Sequence, residues 1–448
     1  MPTTETLAPP ALDLTYIRAQ FPSLAQTVNG HPAVFLDGPG GTQVPQRVID
    51  AISNYLRRDN ANTGGAYATS RNTDAMLAEA RAAMADFLNC AADEIVFGPN
   101  MTTLTYMMSR AIGRDLGPGD EILVTRLDHD ANVSPWLALE EKGVTIRWAE
   151  IHREDCTLDV EDFAAKLNKN TKLVAIGYAS NAVGTINPVK EIVRIAHAAG
   201  ALAYVDAVHY SPHGLIDVTA LDCDFLVCST YKFFGPHMGV LFGKREHLQR
   251  LHPYKVRPLT DAVPNRWEWG TLNHECIDGI TACVDYIADL GTRNAETTTS
   301  HVGTAALGCP SSDARSLATS TRRAAIVAAF ESIHRHEHAL LHRLISGLSE
   351  IPQLKIYGIT DPSCFAWRCP TLALRVINQT ADQTPLALAT KLGDRGFFTW
   401  DGNYYALNLT ERLDVEKSGG FLRIGLVHYN TAEEVDRLLA ALREIVGG

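Results

Sequence analysis

Leu202-Ala203-Tyr204-Val205-Asp206-Ala207-Val208-His209 opens as a short apolar run, reads as a buried strand, and delivers a carboxylate and an imidazole as it ends. Further along, Phe225-Leu226-Val227-Cys228-Ser229-Thr230-Tyr231-Lys232 repeats the pattern. An apolar strand there gives way to two hydroxyls and then an amine, and Phe233-Phe234-Gly235-Pro236 turns the chain. In an open α/β sheet, ligands sit beyond the carboxyl ends of the strands, so both sets of groups are expected to face one crevice.

A carboxylate, a lysine amine and a cluster of hydroxyls are what pyridoxal phosphate requires. The lysine forms the Schiff base, the carboxylate pairs with the protonated ring nitrogen, and small donors hold the phosphate. Taken alone, Lys232 and Asp206 also fit an ordinary ion pair at two strand ends. However, Asp206 to His209, followed by Ser229-Thr230-Tyr231-Lys232, resembles the core of the class V aminotransferase fold in its cysteine desulfurase-like branch. The resemblance extends over roughly residues 30–445. It implies a fold-type I α/β architecture: a large domain with a mainly parallel seven-stranded sheet, and a smaller α+β C-terminal domain. The expected divisions are an N-terminal segment, 1–30, that joins the small domain; a large cofactor-binding domain, 31–295; a polar connection, 296–320; and the small domain, 321–448.

Length and composition agree with a two- or three-domain enzyme. The chain has 448 residues, of which 46% are hydrophobic and 20% charged. Its net charge of −11, without a basic block, speaks against nucleic acid or anionic membrane as partners. The amino terminus lacks the pattern of a signal peptide, and no apolar stretch is long enough to span a bilayer. Nine scattered cysteines without a Cys-x-x-Cys pair read as reduced thiols in a cytoplasmic enzyme, with neither a disulfide frame nor a zinc site.

Ala33-Val34-Phe35-Leu36-Asp37 reads as a strand, and Gly38-Pro39-Gly40-Gly41-Thr42 as a tight turn that lacks any phosphate-binding fingerprint. A helix is expected from about Asp74 to Leu88. Gly98-Pro99-Asn100-Met101-Thr102-Thr103 leads into another, through Ile112. Such a helix start offers free N–H groups to an anion, and Thr102 and Thr103 are candidate phosphate donors. Met238–Gly243 reads as the strand closing the sheet. His334, His338 and His342 have i, i+4 spacing, but their Glu and Arg neighbours point to a solvated face, and no metal is expected.

The remaining site residues follow from the resemblance. His129 matches the histidine that stacks on the pyridine ring, and Asn181 a donor to the cofactor's ring oxygen. His209 stands where many desulfurases have glutamine, and its ring would donate to the phenolate oxygen. Ser229, with Tyr231 in place of the usual histidine, would bind phosphate. Thr271, in Trp267-Glu268-Trp269-Gly270-Thr271, would reach the partner subunit's phosphate, implying a homodimer with shared active sites. Arg423 would grip the substrate α-carboxylate, a task suited to its bidentate fork.

These assignments imply a pyridoxal phosphate enzyme acting on an amino acid through an imine between substrate amine and cofactor, with Lys232, Asp206 and His129 as the catalytic set. Desulfurases carry sulfur on a cysteine shortly before the carboxylate-binding arginine. Between Gly396 and Gly420 this chain has none. Cys364 and Cys369 lie earlier, the latter reading as core packing, and Cys309 earlier still. The favoured activity is a carbon–sulfur or other β-lyase without a persulfide cysteine, with Tyr404 and Tyr405 lining the substrate site. An aminotransferase or epimerase, or a silent scaffold homologue, remains an alternative.

Overall fold

The computed structural model describes residues 12–299 and 314–447. Seven strands form the central sheet: Ile95–Gly98 (β1), Glu121–Thr125 (β2), Thr145–Ala149 (β3), Thr171–Gly177 (β4), Leu202–Asp206 (β5), Phe225–Ser229 (β6) and Gly239–Gly243 (β7). Their order is β1-β7-β6-β5-β4-β2-β3. Every pairing is parallel except the two made by β7.

The sheet therefore has the strand number and the mainly parallel character expected of it, with one difference. β7 does not close an edge but lies antiparallel between β1 and β6. Only residues 230–238 separate it from β6, too few for the crossover of a dozen or more residues that a parallel neighbour needs. Side chains alternate between two cores. Val174, Ile176, Ala203 and Val205 enter one, while Leu173, Ala175 and Tyr204 enter the other. That burial on both faces explains the unbroken apolar runs in the sequence.

The flanking helices include Ala68–Leu88 (α1), Met101–Ile112 (α2), His274–Thr299 (α3), Ala314–Ser349 (α4) and Ala432–Gly447 (α5). α1 begins six residues before the expected Asp74. α3 and α4 extend into both ends of the stretch read as a polar connection, and 300–313, with Cys309, lies outside the described residues. Buried Ile277, Ile280, Val284, Ile287 and Leu290 anchor α3, and packing of that stripe outweighs the modest propensity of its threonine-rich end. α3 and α4 pack closely enough that a Cβ on Gly291 would lie 1.8 Å from the Ala325 carbonyl oxygen.

The second sheet is antiparallel, with Leu354–Tyr357 (β8), Thr371–Val376 (β9), Trp400–Gly402 (β10) and Phe421–Gly425 (β11) in the order β8-β9-β11-β10. α5 and the later turns of α4 cover it through Leu341, Leu344, Leu348, Leu438 and Leu442. α4 passes from one core to the other, since Ile326, Phe330 and Ile333 pack in the large domain.

Packing does not change at residue 31. Val34–Phe35 pairs in parallel with Phe397–Phe398, and Val34 and Leu36 are buried in the small-domain core. Before them, Phe21 packs edge-on against Phe234 and Tyr286 of the large domain, while Arg18 pairs with Glu434 at 2.8 Å. The N-terminal segment thus touches both domains. Among the described residues no helix is long and apolar enough to cross a membrane.

Candidate active site

The ends of β2, β4, β5 and β6 meet β11 of the small domain at one place. Asp206 closes β5 and is buried, its Oδ1 accepting the Val208 N–H at 2.9 Å. Burial pushes its pKa up to about 6, against the pull of the Val208 N–H and of Lys232. Lys232 ends a single turn after β6, and its amine donates to the Pro39 carbonyl. Burial, then the positive charge of Arg423, lowers its pKa to about 7, with Asp206 and Asp37 opposing. The amine is therefore poised to exchange protons at neutral pH.

The backbone beyond Lys232 is strained. Phe234 has φ +76°, a left-handed conformation that costs a bulky residue about 1–3 kcal/mol. Its N–H donates to the Thr42 hydroxyl at 2.8 Å, and its ring is fully buried, which holds the conformation in place.

Arg423 lies in the middle of β11 and is buried. Its Nη1 donates to the Asn181 carbonyl at 2.9 Å, its Cζ stands 4.1 Å from the Tyr404 ring centroid, and its Nε has no partner. Burial lowers its pKa to about 10, so it stays charged at neutral pH. Beside it is Asp37, whose Oδ1 is buried without a partner and whose pKa burial raises to about 6. A parallel bridge from Asp37 to Gly425 places the two charges together.

His129 precedes a short turn, with Nδ1 accepting the Ala131 N–H at 3.0 Å. Burial, then Lys232 and Arg423, lowers its pKa to about 3, so the ring is neutral. It stacks on Tyr405 at 5.4 Å between centroids. His209 is buried with Nε2 unpartnered, and it feels the charges of Arg423 and Lys232. Asn181 Nδ2 donates one of its two N–H groups to the Tyr404 carbonyl at 2.8 Å, and its Oδ1 has no partner. The second N–H of Asn181 and the ring of His209 are the two donors on offer to a phenolate oxygen.

At the start of α2, Asn100 Oδ1 accepts the Thr103 N–H at 2.8 Å, and Ser229 Oγ accepts the Met101 N–H at 3.1 Å. Thr102 is half-buried and Thr103 exposed. β7 passes so near that a Cβ on Gly239 would lie 2.4 Å from the Asn100 carbonyl carbon. Tyr231 stacks on His237 at 4.8 Å, with the Lys232 amine 4.9 Å from its ring centroid. Thr271 is not brought to this cluster within one chain. It lines a separate cleft of about 470 Å³ with Asn62, Thr63, Asp74 and Arg81.

Tyr404 and Tyr405 both have positive φ, +56° and +60°. The Tyr404 hydroxyl donates to the Phe421 carbonyl, so its ring face, rather than its phenol, serves the site, while Tyr405 is largely exposed.

Three contributors escaped the sequence reading: the Pro39 carbonyl, Asp37 and Asp128. Asp128 Oδ1 accepts the Gly177 N–H at 2.6 Å, and burial, with Asp206 nearby, raises its pKa well above the carboxylate range. Asp37 had a signal, since it ends an apolar strand just before a glycine-rich turn, as a ligand-facing carboxylate does.

A sequence profile described as aminotransferase class-V matches residues 34–309 and 316–438. The chain belongs to the class V aminotransferase family. Members of this family are pyridoxal phosphate-dependent enzymes, and this chain is an enzyme of that kind, with the fold-type I architecture. It is 32% identical over 454 residues to a probable cysteine desulfurase of Synechocystis sp., covering 98% of this chain and 96% of that one. To a cysteine desulfurase of Pectobacterium atrosepticum it is 31% identical over 447 residues, covering 96% and 97%. The apo structure of a cysteine desulfurase from Thermococcus onnurineus superposes with a TM-score of 0.79 at 24% identity, covering 96% of this chain and 98% of that one. That last likeness concerns the fold alone.

The residues present fit the cofactor. A buried carboxylate, a lysine of lowered pKa, the buried His209 ring and a helix start with hydroxyls beside it are the partners that its ring, aldehyde, phenolate and phosphate need.

Proposed function

We propose that this enzyme is a β-lyase acting on an amino acid, carbon–sulfur cleavage being its favoured reaction, and that it works without a persulfide cysteine. The convergence of Lys232, Asp206 and Arg423 carries the reading: one amine near neutrality that feels both a buried carboxylate and a fixed guanidinium.

Pyridoxal phosphate, when bound, supplies the electron sink for the Cα carbanion. Asp206 would hold the proton on the pyridine nitrogen, and His129, neutral, would cover the ring face. Ser229 and the first turn of α2, with Thr102, Thr103 and Tyr231 at its rim, would receive the phosphate, and His209 would donate to the phenolate oxygen. Asn181 would hold Arg423 through its main-chain carbonyl and offer its second amide N–H to that phenolate oxygen. Arg423 would grip the α-carboxylate, and Lys232 would carry the proton from Cα. In a β-lyase the electron pair left at Cα forms a Cα=Cβ double bond as the Cβ–S bond breaks, and sulfur leaves with the Cβ–S pair and is protonated.

The lack of a cysteine between Gly396 and Gly420 supports this reading, because Tyr404 and Tyr405 stand on that interval beside Arg423 and His129. Cys364 lies on an exposed turn, Pro362–Trp367. The position of Thr271, away from Lys232 in its own chain, is in keeping with a homodimer in which each chain completes its partner's phosphate site. The free cysteines suit a cytoplasmic protein.

Purified holoenzyme offered a panel of amino acids should release keto acid, ammonia and sulfide from a sulfur-bearing substrate in equal amounts. Transfer of the amino group to a keto acid, or inversion of Cα without a bond broken at Cβ, would replace the lyase reading with the aminotransferase or the epimerase.

A further inference from the structure

His209 also belongs to a second group of chemically able side chains. One donor atom each of His209, His213 and Cys369 lies within 4.8 Å of the other two, and all three residues are buried. We propose that His209, His213 and Cys369 form a binding site for one zinc ion. In sequence Cys369 is far from the two histidines, so no metal-binding spacing shows there. Only the packing of β9's approach against the loop after β5 brings the three together.

The surroundings point to a cation. His213 Nδ1 bonds to Glu337 Oε2 at 2.8 Å, which leaves Nε2 as its ring nitrogen available to a metal. A carboxylate behind a histidine is the usual support of a zinc ligand, fixing its tautomer and raising its basicity. Two buried polar atoms have no partner here, His209 Nε2 and Glu337 Oε1; with Nε2 on the metal, Nδ1–H is the nitrogen of His209 that would serve the cofactor. Unpaired buried polar atoms are costly, and a positive ion would satisfy both kinds.

The donor set selects the metal. Two imidazoles and a thiolate suit zinc, whereas calcium and magnesium require oxygen ligands. Ligands of a tetrahedral zinc stand about 3.3–3.8 Å apart, so the three donors need to close by only about an ångström. There is also a route in. A cavity of about 1020 Å³ between the domains is lined by His213, Glu337 and Cys369, with His334 and His338 also on its wall. Water from that cavity would take the fourth position. The thiol would lose its proton to solvent on binding, with no change of oxidation state. Zinc binding here is independent of which bond the enzyme breaks.

Zinc alone is the probe. Holoenzyme equilibrated with zinc and passed through a desalting column should retain one ion per chain, and competition with a chelating dye gives its affinity. Cobalt(II) in its place should show thiolate charge transfer and the intense visible bands of four-coordination. Cys369→Ser and His213→Ala should each weaken zinc at least tenfold, and Glu337→Gln about 10–100-fold. The double variant His334→Ala/His338→Ala should bind as the wild type does. Failure of the wild type to retain zinc, or a cobalt spectrum without thiolate charge transfer, overturns the proposal without any variant. So does undiminished affinity in Cys369→Ser and His213→Ala, or loss of zinc in the His334/His338 variant.

Discussion

Arg423 and Asn181 are joined across the two domains: Nη1 of the arginine donates to the main-chain carbonyl of the asparagine at 2.9 Å. The same asparagine holds the Tyr404 carbonyl through its side chain, and the Tyr404 ring lies under the guanidinium. Arg423 is therefore oriented before any substrate arrives, with Nε still unpartnered.

Arg423→Ala should weaken amino acids that bear a free α-carboxylate by about 1.5–3 kcal/mol, roughly ten- to a hundredfold. Amines without that group should bind as before. Titrating the cofactor absorbance with matched pairs of ligands checks this. Equal losses for both classes would assign the carboxylate to another cation.

Lys232 should titrate near pH 7 in the cofactor-free protein. Its pKa is lowered to about 7, so the reactive neutral amine grows as pH rises through that value. The rate of covalent capture of pyridoxal phosphate should follow the same curve. Arg423 is the largest lowering influence after burial, so Arg423→Gln should move the midpoint to higher pH. A midpoint that stays put, or falls, would separate the two charges. Lys232→Ala should lose the yellow absorbance of the lysine-bound cofactor altogether.

Asp206→Asn should still bind the cofactor, since the other contacts survive, but turnover should drop about a hundredfold or more because a neutral amide cannot hold the ring proton. Near-normal turnover would remove Asp206 from that role.

Intact mass after turnover with cysteine should show no added sulfur on the chain, and Cys364→Ser should turn over like the wild type. A sulfur adduct on any cysteine would restore a persulfide mechanism.

Gly239→Ala should lower stability by about 1–3 kcal/mol, as overpacking does, because its Cβ would meet the Asn100 backbone at 2.4 Å. Thermal unfolding measures it, and an unchanged Tm would mean that α2 can move away from β7.

Much of the fold was legible because buried parallel strands write themselves as apolar runs, and the groups at the ends of β5 and β6 were legible for the same reason. Positions set by long-range packing were not. Nothing local in Met238–Gly243 shows that β7 lies between β1 and β6, which only the short connection from β6 dictates. Asp37 went unnoticed because Arg423, whose charge it feels, comes nearly four hundred residues later and is brought near through a bridge to Gly425. The Tyr404 carbonyl that takes one N–H of Asn181 lies 223 residues away along the chain, so that contact too has no local signal.

α4 runs 36 residues, about 54 Å of unbroken helix, with Ile326, Phe330 and Ile333 in the large-domain core and its later turns in the small one. It acts as a beam held in both cores. Any swing of the small domain must bend that beam or slide it along α3, where Gly291 leaves no clearance beneath Ala325. A wide hinge is mechanically disfavoured. Adjustment to substrates of different bulk then falls to the lightest parts at the mouth, above all the exposed ring of Tyr405.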